Sequence, residues 1–215
     1  MGNILQEKEK MVEHNKELNL EDLINSQLKS ENEITLYTYC NKIGSDGSKI
    51  LAEALMSKNN ISTLKLFLMN SNIGNTGLIS LAYALVKCTN LSNLTIDISF
   101  NSIGILGVSE LAQKLPDCQN ITTLRINIDG NSIQNEGVLA LGQGIVKCKF
   151  LSYLALGIRD CLILPSGLIN FSIALNNCPK LSQIKILYFS PSQQYFVSFR
   201  QKFIKIKRVV ECYVN

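Results

Sequence analysis

One histidine, His14, is present for acid-base or nucleophilic chemistry, and it lies among charged residues near the start of the chain. A Ser-His-Asp or Cys-His site needs a histidine that a folded scaffold holds beside its nucleophile. We therefore expect His14 to be a solvated surface residue. The sequence contains no GxxxxGK[ST] phosphate-binding loop, and its GNTG run at 74–77 belongs to a repeated turn.

Three aspartates, Asp97, Asp129 and Asp160, raise the possibility of a carboxylate pair for general acid-base work. Asp97 and Asp129 occupy repeat positions on neighbouring predicted strands, and nothing dedicates them to catalysis. The residues thus predict that the protein is not an enzyme. They also predict no catalytic residues, no cofactor and no small-molecule substrate.

Seven cysteines could indicate disulfides or a metal site, but four of them recur at one interval, as Cys88, Cys118, Cys148 and Cys178. Packed helices lie ~8–10 Å apart, which exceeds the ~7 Å Cα separation that a disulfide tolerates. The other three cysteines show no CxxC-type spacing, so no zinc site is predicted. We expect buried thiols that pack the loop after each helix.

The elements that position these residues are repeats of thirty residues. Leucines recur as Leu64, Leu94, Leu124 and Leu154, and a glycine recurs from Gly47 to Gly167 at the same interval. A fixed period of roughly 20 to 50 residues is typical of a solenoid, in which each unit buries its apolar face against its neighbours.

Each repeat reads as a strand, a tight turn and a helix. Leu64, Leu66 and Leu68 alternate with other residues, as in a half-buried strand. Helical spacing follows in the apolar residues of 78–85, after a pair of glycines that we expect to permit the turn. Strands and helices that alternate at this spacing predict a parallel sheet.

The residues Leu64 and Leu66, an Asn position and a glycine-containing helix together resemble the leucine-rich repeat of the ribonuclease-inhibitor-like kind. The resemblance covers about residues 34–190. It implies an α/β solenoid shaped as a horseshoe arc, with a parallel sheet on the concave face and helices on the convex face. It also implies a ladder of Asn side chains along the turns, weakened where Ser71 and Cys161 replace Asn.

The pattern LxxLxLxLxxN is two residues longer than is usual in that family. Two extra residues preserve the alternation of the strand, so we expect one additional inward-facing layer. Its members are Thr38, Leu68, Ile98, Ile128 and Ile158.

The non-leucine strand positions are the candidate partner-binding residues, because they form one continuous patch in such a solenoid. Aromatic residues, Met and Arg are enriched at protein interfaces. The patch consists of Tyr37, Tyr39, Lys65, Phe67, Met69, Asp97, Arg125, Asn127, Asp129 and Arg159.

Both ends depart from the repeat. Residues 1–33 carry eight acidic and four basic side chains and end in a predicted amphipathic helix, which we interpret as a cap on the first strand. Residues 191–215 are a second, basic cap, in which FIKIKRVV at 203–210 alternates like a terminal strand. Its candidate contacts to an acidic surface are Arg200, Lys202, Lys205, Lys207 and Arg208.

Composition fits one domain: 215 residues, 46% hydrophobic and 18% charged, with a net charge of +4. No apolar run reaches the ~18 residues of a membrane span, and the first residues lack the apolar core of a secretory signal. We expect a cytoplasmic protein, with a cytoskeletal or ciliary setting as one option.

The leading functional interpretation is a non-enzymatic module or scaffold that binds a protein partner through the concave face. One alternative is a regulator resembling the Ran-GTPase activators, although those have about twice as many repeats and an acidic tail. Another is a structural component on an acidic polymer such as microtubules. Nucleic acid is not an expected partner.

Overall fold

A computed structural model describes residues 32–38, 43–58 and 60–187, together with the backbone of a strand at 209–213. The chain is an α/β solenoid in which strands and helices alternate. The strands are β1 (Glu33–Tyr37), β2 (Thr63–Phe67), β3 (Asn93–Asp97), β4 (Thr123–Asn127), β5 (Tyr153–Gly157), β6 (Gln183–Leu187) and β7 (Val209–Tyr213). The helices are α1 (Gly44–Met56), α2 (Gly74–Lys87), α3 (Ile105–Lys114), a 3-10 turn (Leu115–Asp117), α4 (Gln134–Ile145) and α5 (Pro165–Leu175).

All seven strands form one parallel sheet in chain order. Leu64 lies opposite Leu94, and the same thirty-residue register joins β1 through β6. The last step is shorter, because Gln183 of β6 lies opposite Val209 of β7. The strand at 209–213 overlaps the predicted terminal strand at residues 209 and 210, and residues 203–208 lie outside the described part of the chain. Alternation marks residues that suit a strand but does not fix the register of pairing with β6.

The core lies between the sheet and one layer of helices. Leu64, Leu66 and Leu68 are fully buried, as the alternation predicts. The expected extra layer is confirmed: all five members are completely buried. They stand one residue beyond each five-residue strand, and the ladder reaches them, since the Leu68 N–H donates to the Asp97 carbonyl at 2.8 Å.

The two glycines at the start of α1 and of α2 have different roles. Gly44 and Gly74 have φ of 64° and 62°, a left-handed conformation that glycine adopts without strain. Gly77 instead lies inside α2, where a Cβ would come within 2.9 Å of the Ser48 side chain on α1. Only the first glycine has the conformation of the turn, so the predicted role of the pair is correct for that member alone. The second allows adjacent helices to approach closely.

The Asn ladder is present where the structure describes it. The Asn101 Oδ1 accepts from the backbone N–H groups of Ser71 and Ile73, and its Nδ2 donates to the carbonyls of Leu68 and Ser99. Asn131 repeats these contacts one turn further along. At the drifted position the Cys161 thiol donates to the Ile128 carbonyl, in place of an amide. Asn41 lies outside the described residues.

A second ladder runs along the opposite ends of the strands. One hydroxyl per repeat donates to the backbone carbonyl of the equivalent residue one turn earlier, as Ser92 does to Ser62 at 3.1 Å. Each turn of the chain is thereby tied to its neighbour at both ends of its strand. The donors are Ser62, Ser92, Thr122, Ser152 and Ser182.

The recurring cysteines form no disulfide and are buried, which confirms the predicted thiol packing. Burial raises the pKa of the Cys88 thiol to about 11 and the pKa of the Cys118 thiol to about 12, because a thiolate would lose its hydration there. Cys161 is buried as well, while Cys40 and Cys212 lie outside the residues whose side chains are described.

Candidate functional site

Among the described residues no helix covers the outward side of β1 to β6, and we call this side the sheet face. Its residues alternate with the buried leucines and isoleucines, so most of them are half-buried by their strand neighbours. Two rows cross its middle. The central row is Thr35, Lys65, Thr95, Arg125, Ala155 and Lys185, and the carboxyl-end row is Tyr37, Phe67, Asp97, Asn127, Gly157 and Leu187.

A shallow depression of about 210 Å³ lies in the middle of the sheet face. Its lining includes four of the predicted contact residues, Phe67, Asp97, Arg125 and Asn127. The parallel register brings these four together, because residues thirty apart in sequence are neighbours across the sheet. The sequence-predicted patch thus contains a real concavity.

Small residues create this depression. Ala155 and Gly157 stand where other strands carry Arg125 and Asn127, so β5 leaves a trough between taller neighbours. Gly157 is also required by packing, since a Cβ there would press into the Asn127 side chain and within 3.0 Å of an Asp129 carboxylate oxygen.

An aromatic pair lies at the β1–β2 side of the sheet face. The Tyr37 and Phe67 rings stack with centroids 4.8 Å apart and an interplanar angle of 5°. Met69, two residues beyond Phe67, is 38% exposed. The pair offers a rigid apolar surface beside the depression, as interfaces commonly use.

Two basic side chains of the central row are held by neighbours on the sheet face. Lys65 forms an ion pair of 2.9 Å with Glu33 on the adjacent strand. The Arg125 guanidinium lies 4.5 Å from the centre of the Tyr153 ring, a cation-π contact that orients it. Arg125 is exposed all the same.

A chain of polar contacts crosses the carboxyl ends of β3 and β4. The Ser99 hydroxyl and backbone N–H both donate to the Asp97 Oδ1, at 2.6 and 3.1 Å. Asn127 donates from Nδ2 to the Asp97 Oδ2 at 3.3 Å and accepts from the Asp129 N–H. Asp97 and Asn127 therefore hold each other while their remaining surface faces the depression.

Asp129 is a correction to the predicted patch. We expected an outward-facing carboxylate, but the residue is only 4% exposed. Its two oxygens accept from the backbone N–H and the Nε of Arg159, at 2.7 and 2.8 Å. Lying just past the end of β4, it turns into the neighbouring repeat and fixes Arg159. Asp129 therefore orients the Arg159 side chain, and its carboxylate does not face a partner.

Several predicted residues lie outside the described part of the chain. They are Tyr39, the basic residues Arg200, Lys202, Lys205, Lys207 and Arg208, the segment 1–31 of the acidic cap, and His14.

Sequence reasoning missed five residues that line the depression. The thirty-residue register alone would have placed all of them, since each continues a row already identified, but small or unremarkable residue types drew no attention. They are Thr95, Ala155, Gly157, Lys185 and Leu187.

A second groove, of about 500 Å³, lies on the helix side between α3 and α4. Polar residues such as Gln113, Gln143 and Lys147 dominate its rim, and its floor is the close contact of Gly144 with the Ala112 backbone. It is larger than the depression on the sheet face but contains no aromatic anchor.

Within the described ranges, no group of three or more His, Cys, Asp or Glu residues is arranged to hold a metal ion. In the same ranges, none of the helices has the length and apolar character needed to cross a membrane.

The sequence matches no protein-family model, and no curated protein matches it either. Among solved structures, the fold is similar to one described as Leiomodin-1 Actin-Binding Site 2 (ABS2), with a TM-score of 0.46 and 12% sequence identity. That match covers 87% of this chain and 87% of the other.

Proposed function

We propose that this chain is a non-enzymatic interaction module that binds a protein partner through its sheet face. The observation that carries the proposal is the depression, where an aromatic ring, an exposed arginine and a polar pair meet on one surface. Residue types of this kind supply most of the binding energy in protein interfaces.

The scaffold suits such a role because it holds these side chains still. Strand pairing, the buried leucines and two polar ladders fix the backbone beneath the sheet face. Tyr37 stacks on Phe67 and Tyr153 orients Arg125, so little side-chain freedom is lost when a partner binds.

The helix-side groove is the competing location, and its chemistry favours it less. Polar rim residues are well solvated before binding, whereas burying the exposed part of Phe67 would release water from apolar surface. We assign the chain to the ribonuclease-inhibitor-like kind of repeat, on its thirty-residue period and its helices of up to 14 residues. A cytoplasmic setting agrees with five buried cysteines that form no disulfide.

Affinity capture from the native cell tests the location, with three baits compared side by side. Phe67→Ala removes the aromatic anchor of the sheet face, and Tyr83→Ala removes an equally large ring, 51% exposed, from α2 on the helix side. We expect the wild type and Tyr83→Ala to capture the same partner and Phe67→Ala to lose it. Loss with Tyr83→Ala alone would move the binding surface to the helices.

The two alternatives have their own assays. A regulator resembling the Ran-GTPase activators should accelerate GTP hydrolysis by at least one small GTPase of a panel. A component of microtubules should sediment with them in a salt-sensitive manner. A positive result that is unaffected by Phe67→Ala would replace the sheet-face proposal.

A further inference from the structure

The lining of the depression is mostly apolar but includes two basic side chains. Arg125 on β4 and Lys185 on β6 both lie opposite Ala155 on β5, so the small residue separates two basic side chains. Neighbouring strands are ~4.8 Å apart. A group placed above Ala155 is therefore one strand spacing from each of them.

The charged residues of the sheet face other than Arg125 already have partners. Lys65 pairs with Glu33, and Arg159 pairs with Asp129. Asp97 accepts hydrogen bonds from Ser99 and Asn127. Arg125 takes part in none of the ion pairs formed among the described residues, and its guanidinium rests on the Tyr153 ring with its charge uncompensated by a carboxylate.

Size limits what the depression accepts. Pockets for small organic ligands usually enclose ~300 to 1,000 Å³, and this concavity holds about 210 Å³ and is open. Its volume therefore suits one side chain of a partner, and its lining offers both apolar residues, such as Ala155 and Leu187, and Arg125.

Resting on the proposed function, we propose that the depression receives a Glu or Asp side chain from an exposed acidic segment of the partner. The carboxylate lies above Ala155 and accepts from Arg125, with Lys185 at the opposite rim. A basic partner side chain would meet repulsion there, and an apolar one would strip water from the guanidinium without replacing its hydrogen bonds.

Fluorescence anisotropy at low salt tests this with a defined probe, a short fluorescein-labelled peptide in which Glu and Ser alternate. Its counterpart with Gln in place of Glu is the neutral control. We expect the Glu peptide to bind more tightly than the Gln peptide. Arg125→Gln and Lys185→Gln should each weaken its binding about twofold to fivefold, as expected for exposed ion pairs.

Two further variants separate the depression from charge in general. Ala155→Leu fills the trough without changing the charge. It should weaken binding of the Glu peptide at least as much as Arg125→Gln does. Lys149→Gln removes an exposed positive charge after α4, away from the sheet face, and should leave binding unchanged. Thermal unfolding of each variant checks that the fold is retained.

Three outcomes overturn the proposal: no binding of the Glu peptide, equal binding of the Gln peptide, or binding that depends on Lys205 and Lys207 and not on Arg125. If one of these occurs while capture of the native partner still requires Phe67, the sheet face remains the binding surface and only its preference for an acidic segment is wrong. If capture is also independent of Phe67, both proposals fail.

Discussion

At the scale of single residues, neighbouring positions in one strand have different roles. Leu66 is completely buried among the leucines of the core, and Phe67, the next residue, points to the sheet face and stacks on Tyr37. The backbone alternation of a strand imposes this division. A substitution at either position should therefore affect either the core or the surface, and rarely both.

The first prediction compares these two neighbours. Leu66→Ala leaves a cavity in a close-packed core and should lower the free energy of unfolding by about 2 to 5 kcal/mol. Phe67→Ala loses a stacked ring contact and should cost only about 1 kcal/mol. Urea denaturation of both variants measures the difference. A larger loss for Phe67→Ala would contradict the direction assigned to every residue of the sheet face.

The second prediction concerns the Asn ladder. Asn101→Ala removes four hydrogen bonds made by a fully buried side chain and leaves the N–H groups of Ser71 and Ile73 without that acceptor. We expect a loss of about 3 kcal/mol, since each buried unsatisfied group costs about 1 to 3 kcal/mol. Asn120→Ala, at an exposed Asn that donates once to the Thr89 carbonyl, is the matched control and should cost below about 1 kcal/mol. Equal losses in both would remove the ladder from the account.

Residue types and spacing predicted which strand positions face outward, but they could not predict what each outward side chain does. Asp97 and Asp129 were both predicted to face outward, yet Asp97 lines the depression and Asp129 is buried against Arg159. Asp129 stands two residues past the repeat position of Asp97, beyond the end of β4. Side-chain pairing of this kind depends on three-dimensional contacts that periodicity does not contain.

At the scale of elements, the close approach of neighbouring helices depends on one glycine per repeat. A Cβ at Gly77 would lie 2.9 Å from the Ser48 Cβ, nearer than atoms of packed helices tolerate. Elsewhere in a helix, replacing Gly by Ala stabilises by up to about 1 kcal/mol. The packing of α1 on α2 should reverse that sign.

The third prediction follows from this contact. Gly77→Ala should lower the melting temperature, whereas Thr76→Ala, its exposed neighbour in the same turn of α2, should leave it unchanged or raise it slightly. Thermal unfolding followed by circular dichroism makes the comparison. A melting temperature for Gly77→Ala at or above that of the wild type would show that the helices can separate at no cost.

The fourth prediction concerns the thiols behind the helices. Burial raises the pKa of Cys118 to about 12 from an ordinary 9.0, so its proton is kept in the folded state and released in the unfolded state between those values. The stabilising contribution is complete below pH 9 and is lost as pH rises toward 12. Urea denaturation at pH 8 and at pH 10.5 measures how much unfolding free energy each protein loses between these pH values. We expect this loss to be about 1 to 2 kcal/mol smaller for Cys118→Ala than for the wild type. Identical losses would mean that the thiol is not protected.

At the scale of the whole molecule, the repeat determines the fold and leaves the ends open to interpretation. Five recurrences predicted the parallel sheet, the side that is buried and the extra inward layer, because every unit packs on a copy of itself. The pairing of the last strand was not predicted, because the step from Gln183 to Val209 breaks the interval. The hydroxyl ladder was missed although Ser62, Ser92 and Thr122 recur visibly, since small polar residues at a strand start suggest a turn as readily as a tie between repeats.

The depression shows the same limit on the functional side. The large residues that line the depression were predicted from their types, and the small ones were not. A concavity arises where a small side chain such as that of Ala155 lies between longer ones. Binding surfaces of solenoids are collective in this sense. They belong to adjacent repeats and not to any one of them.

Hydroxyl-radical footprinting of the unmodified protein, alone and bound to its captured partner, tests the central claim most directly. Oxidation is read residue by residue, so the sheet face and the helix side report in one experiment without any substitution. Binding through the sheet face predicts that Tyr37, Phe67 and Met69 lose reactivity, while Tyr83 on α2 and Phe150 after α4 keep theirs. Protection of Tyr83 and Phe150, with Phe67 and Met69 unchanged, would contradict the account.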